Sequence, residues 1–166
     1  MTGEQHLLRS ERTYEWEYDG EPECEGALRW KVLISSGRTP TSGISMGLLE
    51  VPPGTSLEPH HHHPQEVYYV TEGRAEVYVH GRWLSVERGD VIYWPGDFPH
   101  GIRNRGEELC SVVWMFPTDS YDDITYVDDR ETGMAAGPPP PPPPSPLAMQ
   151  PDPLGHRDAE ALAQLP

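Results

Sequence analysis

The chain has 166 residues, a formal net charge of −15 and a pI near 4.7, with twenty prolines and sixteen glycines. That length accommodates one domain with a core of its own and excludes two large ones. The acidic balance argues against phosphate-backbone partners and anionic membrane surfaces, so neither nucleic acid nor a membrane is expected as a partner.

Residues 1–27 carry eight Asp/Glu against two Arg. Tyr14, Trp16 and Tyr18 alternate there with charges, which predicts a short edge strand or an arm laid on the domain. The first residues show no basic stretch followed by an apolar one, and no segment approaches a membrane-spanning length. Cys24 and Cys110 are too few for a disulfide framework, so both are read as free thiols and the protein as cytoplasmic. Cys110 lies in an apolar run and is expected to be a packed core thiol.

Strands are predicted over residues 28–36, 44–51, 66–71, 74–79, 83–86, 91–94, 100–104 and 109–116, with one more over 124–127. Glycine-containing turns separate most of them, and His80-Gly81 reads as a tight hairpin. No segment holds a helical period. Many short strands at regular spacing predict an all-β sandwich or barrel. Residues 131–166 contain the unbroken run Pro138–Pro144 and further prolines, the composition of a disordered tail. The expected organisation is an acidic arm over 1–27, a barrel over 28–130 and a Pro-rich tail over 131–166.

The chemistry concentrates in His60-His61-His62-His63-Pro64-Gln65-Glu66 and in a later histidine, His100. Residues two apart on a strand share a face. His60 and His62 therefore point one way, and Glu66 has their parity. The other register, His61 with His63, would separate both from Glu66. His100 begins a separate strand and is expected to approach from across the barrel. Three imidazoles and a carboxylate suit Fe(II), Mn(II), Ni(II), Co(II), Zn(II) or Cu(II), and leave two octahedral positions open.

At these residues the chain resembles the cupin superfamily. Gly54, His60, His62, Glu66 and Gly73 match the spacing of that family's first motif, and Gly89, Pro95, His100 and Asn104 match the second. Asp97 departs from the pattern, standing where a glycine is expected; aspartate tolerates a left-handed backbone better than most residues. The resemblance implies a double-stranded β-helix, a jelly-roll barrel with one divalent transition metal inside. It implies His60, His62, Glu66 and His100 as ligands, Fe(II) as the favoured ion, and a homodimer.

Tyr68 shares the parity of Glu66 and is the candidate catalytic residue, a proton acceptor or a hydrogen-bond donor to substrate. The Glu-x-Tyr pattern is similar to that of small cupin lyases that cleave dimethylsulfoniopropionate. Trp94, Trp114 and Phe116 are candidate pocket walls, suited to a quaternary cation or sulfonium. Arg29, Lys31 and Arg103 are candidates to fix a substrate carboxylate, Lys31 foremost, because Arg103 has the parity opposite to His100. The expected activity is that of a mononuclear Fe(II)-type oxygenase acting on a small polar metabolite. The alternatives are a non-redox metal lyase or sugar-type isomerase, and a sensor of a small molecule or metal.

Overall fold

The computed structural model describes residues 7–18 and 27–129. The Pro-rich stretch, Cys24 and the remainder of the acidic arm lie outside the described residues. The strands are β1 (Glu17–Tyr18), β2 (Arg29–Ile34), β3 (Ser45–Val51), β4 (Ser56–His61), β5 (Glu66–Glu72) and β6 (Arg74–Val79), followed by β7 (Arg82–Glu87), β8 (Val91–Trp94), β9 (His100–Arg103), β10 (Cys110–Phe116) and β11 (Val127–Asp128). One turn of 3-10 helix, Glu11–Thr13, precedes them. Among the described residues no helix is long and apolar enough to cross a membrane.

The strands form two antiparallel sheets. One has the order β1-β2-β3-β10-β5-β8, the other β11-β4-β9-β6-β7. Alternation in the sequence becomes alternation in burial: β3 buries every second residue, and Glu66, Tyr68 and Val70 of β5 turn inward while Tyr69 faces out. Val51, Val70, Val77, Ile102, Val112 and Phe116 fill the space between the sheets. Cys110 is fully buried there, and burial pushes its thiol up to about 11, so it is a packing group.

Most predicted strands sit within two residues of their observed limits. The exception is β4, which carries the first histidines and was not anticipated as a strand. Pro59 and a polar run conceal it. Proline is tolerated there because the β4–β9 ladder shifts register between Leu57 and His60, where no backbone donor is required. The predicted strand over 124–127 is shorter and later than expected, because Ile124 closes a turn onto Tyr121 instead. The hairpin between β6 and β7 has positive φ at both His80 and Gly81, the geometry of a two-residue turn that matches strand twist.

Of the acidic arm, residues 11–18 are laid against the outer face and edge of the six-stranded sheet. β1 pairs with β2, and the Trp16 ring lies 4.4 Å from the Arg29 guanidinium and 4.3 Å from Lys31 Nζ. Lys31 pairs with Leu48, on the face opposite to the core residue Leu49, and is covered from outside by the arm.

Gly47 is the tightest point between β2 and β10. A Cβ there would lie 2.0 Å from the Lys31 carbonyl oxygen and 2.2 Å from the Trp114 ring. Neither neighbour has room to withdraw, since one is ladder backbone and the other a buried indole. Gly47→Ala is therefore expected to destabilise the barrel by about 2–3 kcal/mol or more through overpacking, read as a lowered midpoint in urea.

Candidate metal centre

His60 and His62 come from the end of β4 and the residue beyond it; both are buried, whereas His61 is half-buried and His63 exposed. The alternation expected along the run therefore holds for the four side chains. The routes of the other two groups are the reverse of what strand parity suggested. His100 does not approach from across the barrel: it is the direct cross-strand partner of His60 in the β4–β9 ladder. Glu66 does. Pro64 and Gln65 carry the chain from one sheet to the other, and Glu66 opens β5 in the opposite sheet.

The three imidazoles are fixed in the same way. His60 Nδ1 donates to the carbonyl of Glu58 at 2.8 Å, His62 Nδ1 to that of Pro64 at 2.8 Å, and His100 Nδ1 to that of Phe98 at 2.7 Å. A carbonyl only accepts, so each Nδ1 holds its proton and each ring turns its Nε2 toward the others. One ring nitrogen from each of the three lies within 4.8 Å of the others. Glu66 Oε2 lies 3.3 Å from His62 Nε2 and 3.1 Å from His100 Nε2, while His60 Nε2 is buried with no partner.

Two of the three Nε2 atoms crowd onto one carboxylate oxygen, and the third has no partner. Burial lowers the pKa of His60 to about 4, with repulsion from His100 adding to it, so a proton is a poor occupant at neutral pH. Burial alone would raise Glu66, but its contacts to His100 and His62 outweigh that and hold the carboxylate below its ordinary range. A divalent cation relieves the conflict, accepting lone pairs from the imidazoles and pairing with the carboxylate. The cluster fits a metal by its own chemistry, and three of its members form a group able to hold one.

Aromatic rings enclose it. Trp94 pairs with Glu66 in the β5–β8 ladder and stacks on His100 at 5.0 Å, and its buried Nε1 has no partner. Phe116 meets the edge of His62 at 5.0 Å; Trp114 stands behind it, against Phe116 and Tyr121. Tyr68 lies inside, edge-on to Trp94 at 6.2 Å, and burial together with the Glu66 charge raises its pKa well above the usual phenol value. Two tyrosines escaped the sequence reading. Tyr126 lies 5.1 Å from His60 and 5.3 Å from His62 by ring centroids, and Tyr121 is hydrogen-bonded to it. Both follow β10; Tyr126 falls within the strand expected over 124–127, but nothing in the local sequence ties that strand to the histidines.

The basic residues named as carboxylate anchors are all engaged elsewhere. Lys31 is not at the site: its Nζ bonds the Glu11 carbonyl and Oε2 of the Glu11 carboxylate, both at 2.9 Å, and holds the arm. Arg29 pairs with Glu50, and Arg103 pairs with Glu76 at 2.7 Å and stacks on Trp83. Asn104 serves the fold: its amide donates to the carbonyls of Val51 and Glu108, and its oxygen accepts from Gly106 N–H. Asp97 takes a φ of 61°, the left-handed backbone that the departing position requires.

An antiparallel two-sheet barrel with a buried cluster of three histidines and one carboxylate defines a class of small β-barrel proteins with a candidate metal centre. A model of the cupin domain family matches residues 47–116. The dimethylsulfoniopropionate lyase DddW of Ruegeria pomeroyi is 33% identical over 101 residues, which are 61% of this chain and 66% of DddW, just under two thirds of it. The tetracenomycin polyketide synthase protein TcmJ of Streptomyces glaucescens is 30% identical over 118 residues, covering 69% of this chain and 78% of TcmJ. The solved structure of the polyketide cyclase RemF from Streptomyces resistomycificus superposes with a TM-score of 0.63 at 21% identity, over 75% of this chain and 86% of RemF. The chain belongs to the cupin superfamily.

Two outcomes are expected of the centre itself. The wild-type chain takes up one equivalent of divalent metal by elemental analysis, and His62→Ala takes up none while keeping its β-sheet circular dichroism. Lys31→Met keeps full uptake. In the metal-free protein, His60 is held neutral below its ordinary value of 6.5. The native state therefore binds fewer protons than the unfolded chain once the pH falls below 6.5, and loses stability down to about 4. The loss is on the order of 3 kcal/mol, and the lowered Glu66 adds to it in the same direction at more acid pH. Urea denaturation at stepped pH measures it, and His60→Gln is expected to flatten the profile.

Proposed function

We propose that this cupin is a metal-dependent lyase that removes a proton from a small zwitterionic or carboxylate-bearing substrate, with Tyr68 as the proton acceptor. The observation that carries this reading is the charge inventory of the pocket. Arg29, Lys31 and Arg103 are all neutralised elsewhere, the rings against the cluster are phenol and indole, and Asp128, opposite His60, adds no positive charge. A substrate carboxylate entering such a pocket has the metal as its counter-charge, and a cationic group has the aromatic walls of Trp94 and Phe116. The likeness to DddW, a dimethylsulfoniopropionate lyase by name, supports the same chemistry.

His60, His62, Glu66 and His100 would hold the ion. Bound there, a divalent metal supplies Lewis acidity, polarising a substrate oxygen and acidifying the neighbouring C–H. Burial and the Glu66 charge keep Tyr68 protonated in the absence of that positive charge, so its phenolate is available only in the loaded site. The Tyr68 oxygen then takes the proton from the carbon beside the substrate carboxylate. The C–H electron pair becomes the new double bond, and the leaving group, such as a dialkyl sulfide, departs with its own bonding pair. Stacking by Trp94 fixes the His100 ring, and Phe116 keeps water from the opposite edge of His62.

The Fe(II)-type oxygenase is the second reading, favoured by a ligand set of three histidines and one carboxylate that leaves two positions open. Headspace analysis under strict anaerobiosis separates the two. The metal-reconstituted chain is expected to release dimethyl sulfide from dimethylsulfoniopropionate without oxygen. Tyr68→Phe is expected to lose at least ~10²-fold in kcat with unchanged metal content. Turnover of any screened acid that requires oxygen would displace the lyase in favour of the oxygenase. Tight ligand binding without product under any metal would point to a sensor.

A further inference from the structure

The segment between β10 and β11 does more than connect them. Its start is tied to the loop after β2: Ser36 N–H donates to the Asp119 carbonyl at 2.7 Å, Tyr121 N–H donates to Ser35 Oγ at 3.0 Å, and Arg38 pairs with Asp122 at 2.6 Å. Its end is tied to the histidine strand. β11 adds to the open edge of β4, with Val127 opposite His61 and Asp128 opposite His60. The His61 ring and Asp129 Oδ1 close the clip at 2.8 Å. Between these anchors the chain passes over the candidate metal centre.

The register decides which side chain stands at the opening. Residues paired across an antiparallel ladder point to the same face. Continuing the β4–β11 pairing by one residue sets Tyr126 opposite His62, on the inward face. The ring distances agree, with Tyr126 5.1 Å from His60 and 5.3 Å from His62. The exposures show which way it is layered: His60, His62 and His100 are 5%, 1% and 0% exposed, Tyr126 41%. Tyr126 thus lies between two of the histidines and solvent. Its hydroxyl is bonded to Tyr121, which packs on Trp114 at 4.9 Å, so the ring is held from inside while its outer edge is wet.

We infer that Tyr126, held over His60 and His62 by the strap of residues 117–129, is the side chain that sets the size of molecule able to reach the metal centre. His61, outside the cluster, acquires a role in this arrangement: it fastens the strap that carries Tyr126. The inference rests on the metal reading of the cluster but not on the lyase reading, because it concerns access and not reaction.

Cobalt(II) loaded into the apoprotein provides the test, since its visible absorption changes when an exogenous ligand binds. Imidazole and 4-phenylimidazole serve as a small and a large probe of one donor type. In the wild-type chain imidazole is expected to bind at least tenfold more tightly than 4-phenylimidazole. Tyr126→Ala is expected to shrink that ratio at least fivefold, Tyr126→Trp to widen it, and Tyr126→Phe to leave it within twofold. Asp129→Asn, which weakens the clip, is expected to speed removal of cobalt by a small chelator several-fold. An unchanged probe ratio in Tyr126→Ala and Tyr126→Trp, both loaded with cobalt, would overturn the inference while sparing the metal site. Failure of the wild-type chain to take up cobalt, zinc, iron, manganese, nickel or copper would overturn the metal reading and this inference with it.

Discussion

The arrangement of the site depends on one repeated interaction, an imidazole Nδ1–H given to a backbone carbonyl two residues away. It occurs at His60, His62 and His100, and the accepting carbonyls belong to Glu58, Pro64 and Phe98. Each bond does two things at once. It fixes the ring's orientation relative to its own strand, and it occupies Nδ1, so that Nε2 is the nitrogen left to bind a ligand. Because the acceptors are backbone, the ring directions follow from where β4 and β9 run. A barrel that places these strands side by side converts two ordinary strand ends into three convergent donors.

The carboxylate completes the cluster from the opposite sheet, and this makes the site a joint between the two layers. β4 ends in one sheet and β5 begins in the other, with only His62 to Gln65 to make the crossing. That short crossover holds His62 and Glu66 at a fixed separation. The loop after β8 braces the same stretch, since Asp97 N–H donates to the His62 carbonyl at 2.8 Å. The turn between β8 and β9 thus supports the crossover between β4 and β5, and Asp97 takes a left-handed backbone there.

Charge is distributed so that the pocket is served by the cluster alone. The basic side chains nearest in sequence to the core strands are each bound by an acid on the outer surface: Arg29 by Glu50, Lys31 by Glu11 and Arg103 by Glu76. The indoles of Trp16 and Trp83 cover three of these cations. Among the described residues of the arm, Glu11 fastens onto Lys31 of β2 and Glu17 onto Arg38. The interior is left with neutral aromatic walls.

Local pattern determined the all-β architecture, most strand positions and the alternation that sets His60 and His62 on one face and His61 and His63 on the other; the resemblance to the cupin motifs marked which pair turns inward and where the left-handed turn at Asp97 falls. Each of these depends on period-two alternation, on motif spacing or on the backbone preferences of single residues, which are written along the chain. Tertiary structure decided what depends on pairing between distant segments. It hid β4 behind Pro59, because only the register shift against β9 makes a proline acceptable there. It put His100 beside His60 and brought Glu66 from across the barrel, because sheet membership is not encoded by parity. It turned Lys31 outward beneath the arm, and set Tyr126 over His60 and His62 through a two-residue ladder to β4 that the strand expected over 124–127 could not specify. Side-chain alternation is a local property of the backbone; convergence on a point is a property of how strands are ordered in sheets.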